Sequence, residues 1–338
     1  MEIGRGEIDV LRRAGVLPAG RYARALALAR DDRAWARWAR HALLALGLGH
    51  LLAGIVFFFA YNWADLPDLG KFATIELGIL IGAGAALWRG ADRPEGAAAL
   101  IGATVLTGVL LAVIGQVYHS RAEAWQLFAL WAGLTLPWTL ASRSAAHWLV
   151  WLVVLHLAAI MHAQQVLVPR GRLSEYEALV GLSLLPLLVL LLREAAVDRG
   201  QGWAGARWTR LLPAIAALGG LFVGAVTFLF DVALPEILDD PRTPALAPAA
   251  FLAAIAALGA VYRFLRPDLA VLAAAIGFAA LFLIAAAVRL VAEGVGFDET
   301  EPLLSSLALL VVWSVAVVAG TARVLDSLRR RLKALGHG

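Results

Sequence analysis

Cysteine is absent from all 338 residues. That excludes disulfides and thiolate metal sites, and it leaves the redox compartment unassigned. Also missing are a phosphate loop ending in Gly-Lys-Ser/Thr, His-Glu-x-x-His, Gly-x-Ser-x-Gly and Cys-x-x-Cys, so common enzyme classes lose first place. None of the seven histidines pairs at the three- or four-residue spacing that puts two ligands on one helix face. No metal site and no cofactor is therefore read from the sequence. Charge is scarce as well: only 16% of residues are Asp, Glu, Lys or Arg, against 61% hydrophobic.

With a mean hydropathy of +0.78, the chain carries more apolar surface than a soluble domain of this length buries. It calls for lipid as solvent. A hydrocarbon core about 30 Å thick takes roughly 20 helical residues per crossing. The apolar stretches are continuous rather than alternating, which favours an all-α polytopic helix bundle over a barrel. Ten such stretches stand at 42–60, 72–88, 97–117, 125–140, 145–162, 176–192, 211–231, 246–265, 269–292 and 302–320. Residues 1–40 hold nine arginines and no apolar stretch of the kind a cleavable export signal needs, so the first span is expected to stay in the mature protein.

Positive charge beside spans orients them. With both termini in the cytoplasm, 23 of the 29 basic residues fall on that side, and only Lys71, Arg121, Arg170, Arg172, Arg242 and Arg289 fall outside. The acidic groups Asp231, Glu236, Asp239 and Asp240, and Asp298, Glu299 and Glu301, lean outward. A pI near 9.8 thus reports topology, and nucleic acid is not expected as a partner. Trp38, Trp63, Trp88, Trp125, Trp138, Trp148 and Trp208 stand at expected span ends, as headgroup anchors do.

The chain writes one pattern twice. "ARWARHALLALGLGHLLAGIVFF" at 36–58 matches "ARWTRLLPAIAALGGLFVGAVTF" at 206–228, pairing Arg37, Trp38, Arg40, Gly49, Gly54, Val56 and Phe58 with Arg207, Trp208, Arg210, Gly219, Gly224, Val226 and Phe228. Between later spans, Arg93-Pro94-Glu95 matches Arg266-Pro267-Asp268. Both collars precede spans of one orientation, so spans one to four and seven to ten are read as a parallel repeat with an axis along the membrane normal. Five parts result: a helical hairpin at 1–41 that turns at Gly15 to Gly20, a first repeat at 42–140, connecting spans at 141–205, a second repeat at 206–320 and a basic tail at 321–338. Gly78 with Gly82, and Gly220 with Gly224, call for tight helix packing, within one chain or in a homo-oligomer.

Polar residues gather on the expected outer side. Asn62 ends span one, Lys71 and Glu76 open span two, and Gln116, Tyr118, His119 and Glu123 surround the turn before Trp125 and Gln126 open span four. Glu76 lies about 7 Å along the helix from Lys71 at 1.5 Å per residue, where a carboxylate is expected to be partnered or protonated. His50 stands mid-span, opposite Gly220 of the repeat. It is read as bonded to a neighbouring carbonyl before it is read as a ligand. For the outer set, helix capping and a ligand site are both open.

These residues carry a resemblance. "AGVLPAG", "FFFAYNWADLPDLGKFATIELG" and above all "GQVYHSRAEAWQLFALWAGLTLPW" resemble a bacterial membrane-protein family known as domain of unknown function 2157, over roughly residues 7–165. The resemblance implies a multi-pass protein of the bacterial inner membrane and no established activity. Three functions are open: small-solute transport or binding through the outer polar cluster, which leads; a structural or regulatory protein that recruits a partner through the hairpin; and a membrane enzyme using Glu76, His119 and Glu123 as acid-base groups. The enzyme reading lacks a nucleophile or metal set.

Overall fold

Backbone groups taken into lipid must bond within their own segment, and ten continuous apolar stretches leave the helix as the local solution. The computed structural model describes residues 8, 10, 11, 14–16, 32–62, 66–232, 246–294 and 300–334. Among them are ten α-helices and no strand. They are α1 (Asp32–Asn62), α2 (Asp68–Arg89), α3 (Pro94–Val117), α4 (Ala124–Ser142), α5 (Ala145–His162), α6 (Glu175–Asp198), α7 (Trp208–Asp231), α8 (Leu246–Ala260), α9 (Leu269–Gly294) and α10 (Thr300–Ala334). Each of the ten apolar stretches falls in one of them, with π-helical turns extending α5 over Ala163–Leu167 and α8 over Val261–Leu265. Eight of the ten, all but α1 and α4, are long and apolar enough to cross a membrane. Residues 17–31 of the expected hairpin, Trp63, Glu236, Asp239, Asp240, Asp298 and Glu299 lie outside the described residues, and residues 32–41 of the hairpin are the start of α1. Of the expected hairpin turn, Gly15 is described, with φ at 70°.

Local chemistry sets the boundaries. Ser174 caps α6 in a capping box with Glu177, each side chain meeting the other's backbone N–H. Pro94 opens α3, where its missing N–H costs nothing. The C-terminus of α3 closes by a Schellman pair of bonds, Ser120 N–H to Gly115 O at 3.0 Å and His119 N–H to Gln116 O at 3.3 Å. That motif puts its C′ residue in the left-handed region, and here the residue is His119 rather than glycine, with φ at 49°.

The chain divides into two units: Met1–Ser120 with Thr135–His147, and Arg121–Leu134 with Trp148–Gly338. In the first, Ile75, Leu106 and Val113 form the apolar centre between α2 and α3, with Leu52 and Ile55 of α1 against it. The glycines of α2 allow the approach. A Cβ at Gly78 would stand 2.9 Å from the Leu106 side chain, and one at Gly82 would stand 3.0 Å from the Ala99 carbonyl oxygen. Beside this core lies a buried polar layer of Thr104, Thr107, Thr135, Thr139, Ser142 and His147. Thr104 Oγ1 and His147 Nε2 are 2.9 Å apart, while Thr107, Thr139 and Ser142 donate to carbonyls of their own helices.

In the second unit α7 is the central helix. Ala214, Leu218, Leu221 and Ala225 of α7 pack with Leu190 of α6, Phe251 and Leu258 of α8 and Val271 of α9. Gly220 and Gly224 face α6, where a Cβ at Gly220 would run into Ser183 Oγ and one at Gly224 would meet Leu179 at 3.5 Å. The expected glycine contacts are thus made within the chain. In α10 the apolar span Ser306–Arg330 buries only Leu328. So much unpartnered apolar surface is stable only in a bilayer.

Candidate functional site

In the first unit, Lys71 and His119 of the expected outer cluster bond within their own segments. Asn62 is the last residue of α1. Lys71 is buried, 8% exposed, and its Nζ pairs with Asp68 at 3.1 Å, one turn earlier. Tyr118 is exposed and stacks on Phe72, ring centroids 6.2 Å apart. The His119 ring donates through Nδ1 to the Val117 carbonyl at 3.2 Å. Gln116 and Glu76 are exposed, and neither side chain has a hydrogen bond or ion pair among the described residues.

In the second unit, Glu123, Trp125 and Gln126 are brought together. Glu123 N–H donates to Gln126 Oε1 at 3.2 Å, and Trp125 Nε1 donates to Glu123 Oε2 at 2.6 Å. Two residues that the sequence reading passed over complete the group. Gln165, on the π-turn after α5, accepts from the Trp125 backbone N–H at 3.3 Å, and His162 meets the Trp125 ring edge-on at 4.7 Å. The first turn of a helix has donors with no partner in its own ladder, and Gln126 and Gln165 accept from two N–H groups at this start. The polar "HAQQ" that closes the fifth apolar stretch is the sequence signal for this pair. His162 Nδ1 is buried with no hydrogen-bond partner among the described residues.

The largest ionic assembly lies at the opposite end of the second unit's helices. Glu194, near the end of α6, is 7% exposed and receives Arg193 at 2.8 Å, Arg210 at 2.7 Å, Arg266 at 2.7 Å and the Tyr262 hydroxyl at 3.1 Å. Arg210 reaches on to Asp268 at 2.8 Å, and Arg266 also pairs with Asp198. Arg193 fastens the loop before α7 by donating to the Ala204 carbonyl at 3.0 Å. Asp268 Oδ1 in turn accepts from Ala270 and Val271 N–H, capping α9. Hydrogen bonding to Asp198 holds the Arg266 guanidinium above its ordinary range, so it stays charged. Glu194, Arg193, Asp198 and Tyr262 were not singled out from sequence, although Arg193-Glu194 closing an apolar stretch is a readable signal.

The first unit contains a related ion pair, Arg40 to Glu95, joining α1 to the start of α3. It also contains a cavity of ≈ 330 Å³ between α1, α2 and α3, with His50 in its wall. His50 Nδ1 donates to the Leu46 carbonyl at 2.7 Å, the bond expected for it. No three His, Asp or Glu side chains among the described residues are grouped to hold a metal ion.

Long apolar helices and unpartnered apolar faces define a multi-pass helical membrane protein. Within that class, residues 9–148 match the model of a family described as predicted membrane protein (DUF2157), in agreement with the resemblance read from the sequence. No curated protein and no solved structure matches the chain.

Proposed function

We propose that this chain is a small-solute binding or transport protein of the bacterial inner membrane, with both termini cytoplasmic and ten spans. The carrying observation is Glu76. It lies more than one turn inside α2, exposed, with no hydrogen bond or ion pair among the described residues. An ionisable group at such a depth is costly, and folding gains nothing from this one; a ligand contact accounts for its presence. Asn62, Lys71, Gln116, Tyr118 and His119 of the same unit make up the rest of the proposed outer set.

The reading draws support from duplication. Arg40 and Arg210 hold the same position in the repeated collar, and Glu95 and Asp268 hold the same position in the repeated Arg-Pro-acid loop. Their ion pairs are therefore equivalent, each joining the first helix of a proposed half to the third. Helix packing follows suit: α3 packs on α1 and α2, as α9 packs on α7 and α8. Matched side-chain partners in the two proposed halves favour duplication over chance similarity of apolar runs. Parallel duplication is the plan of carriers that rock one repeat against another.

The test is thermal unfolding of the purified chain across a panel of small solutes, beside Glu76→Gln. A solute at 100 times its dissociation constant stabilises the folded form by about 2.7 kcal/mol. The wild type is expected to respond to a solute, and Glu76→Gln to lose that response at unchanged folded yield. A response that is equal in both, or a variant that changes only basal stability, would refute the proposed site.

A further inference from the structure

The cavity between α1, α2 and α3 lies midway along the spans, and its walls include Gly54 and Ile55 of α1, Gly78 of α2 and Leu106 of α3. Among the described residues only two polar side chains line it, His50 and Thr74. Thr74 already donates to the Gly70 carbonyl at 2.8 Å. His50 is different. A carbonyl can only accept, so the Nδ1 bonded to Leu46 O carries the proton and Nε2 of the neutral ring is a hydrogen-bond acceptor. No residue described in the structure donates to it.

The corresponding register in the second proposed half is closed. Gly220, opposite His50, is packed on Ser183, and Gly224, opposite Gly54, has Ala247 and Leu179 within 3.5 Å of where a Cβ would stand. At Gly54 itself nothing lies within 4 Å. Space and an acceptor occur together only in the first half of this comparison. A cavity of ≈ 330 Å³ falls at the lower end of small-molecule sites, which run from about 300 to 1,000 Å³. His50 is exposed at mid-span, so what reaches it comes from the hydrocarbon layer. Such a molecule must be lipid-soluble, and a lone acceptor in an apolar wall selects a donor.

We propose that this cleft binds a lipid-soluble alcohol, its hydroxyl donating to His50 Nε2 and its carbon chain lying along Gly54, Ile55 and Gly78. This binding enters from the bilayer and is separate from the solute set around Glu76; it rests on the proposed ten spans for α1, and the comparison between halves rests on the proposed duplication.

The full chain in phosphatidylcholine vesicles is exposed to hexadecanol carrying a photoreactive diazirine in its chain, and separately to the methyl ether of the same probe. Crosslinks are then mapped by mass spectrometry. One hydrogen bond of about 0.5–1.5 kcal/mol predicts labelling of α1 and α2 around the cleft roughly 2- to 10-fold stronger for the alcohol. His50→Phe should bring the alcohol down to the level of the ether and leave the ether unchanged. Gly54→Leu, which grows into open space, should lower both. Equal labelling by alcohol and ether in the wild type, labelling spread evenly along α1 and α2, or full labelling in Gly54→Leu would overturn the proposal. Should Gly54→Leu fail to fold, the His50→Phe comparison decides alone. The readout is crosslinking, so failure here leaves the solute response of Glu76 untouched, and failure there leaves this one standing.

Discussion

Replacing Glu194 by Gln changes one oxygen for an amide group at the point where three guanidiniums meet. The amide donates where Arg193, Arg210 or Arg266 needs an acceptor, and the charge that balances them is gone. Arg193 and Arg210 have side chains only 8% and 21% exposed, so solvent cannot replace the lost carboxylate for them. Arg266, at 33%, recovers part of its loss from water. Breaking a buried pair by removing one partner costs about 3–5 kcal/mol, because the other charge is left uncompensated. At roughly 2–4 °C per kcal/mol, the scale for domains of 150–250 residues, the melting midpoint should fall by about 10 °C.

Tryptophan fluorescence during thermal unfolding in detergent reads the change. Trp203 and Trp208 flank the loop that Arg193 fastens. A second variant separates charge from shape. Glu194→Gln combined with Arg210→Met removes a cation together with the anion and should recover part of the loss, since replacing a buried pair by apolar groups is often close to neutral. A midpoint within 2 °C of wild type for Glu194→Gln, on the same scale, would show that the network holds nothing together. A double variant less stable than the single by the full cost of a second independent change would show that Glu194 and Arg210 are not coupled.

Three further outcomes are expected. Topology reporters fused at Gly338 and inserted at Asp240 should report opposite sides of the membrane; the same side for both would refute the ten-span orientation. Arg210→Ala should cost about 3–5 kcal/mol, whereas Arg40→Ala, whose side chain is 55% exposed, should cost no more than about 1 kcal/mol; equal losses in melting experiments would contradict the difference in burial. His119→Gly should raise stability by about 0.5–1 kcal/mol by relieving a left-handed residue, less the entropy that glycine adds to the unfolded chain. A fall in the midpoint would mean that the His119 ring contributes more than its backbone costs.

The helices were legible in the sequence because lipid makes burial a one-dimensional property: an apolar run of sufficient length has one solution. The glycine contacts at Gly78, Gly82, Gly220 and Gly224 were legible for a related reason, since without a side chain a helix face can approach its neighbour closely. Convergence was not legible. Glu194, Tyr262 and Arg266 are separated by 68 and 72 positions from α6 to the far end of α8, and only packing decides that their side chains meet. The buried layer of Thr104, Thr135, Thr139 and Ser142 stayed hidden because a threonine or serine in a span reads as a mild interruption of hydropathy. The outer residues were visible as polar, but polarity does not distinguish Gln126, bonded into a helix start, from Glu76, which has no hydrogen bond or ion pair among the described residues.

The repeated motifs gave half of a structural relation without the other half. Arg40, Arg210, Glu95 and Asp268 stood out as matched letters, and the structure turns the match into a pair of contacts with different burial. The first is 55% and 32% exposed, the second 21% and 16%. That difference follows from what surrounds each pair. Glu194 and Tyr262 close over Arg210, while cohesion beside Arg40 rests on the glycine face of α2 against α3. Under the proposed duplication, one copy is kept fastened and the other keeps space beside His50, which separates two demands that a single packed helix bundle cannot meet at one place: stability, which requires filled contacts, and binding, which requires an unfilled one.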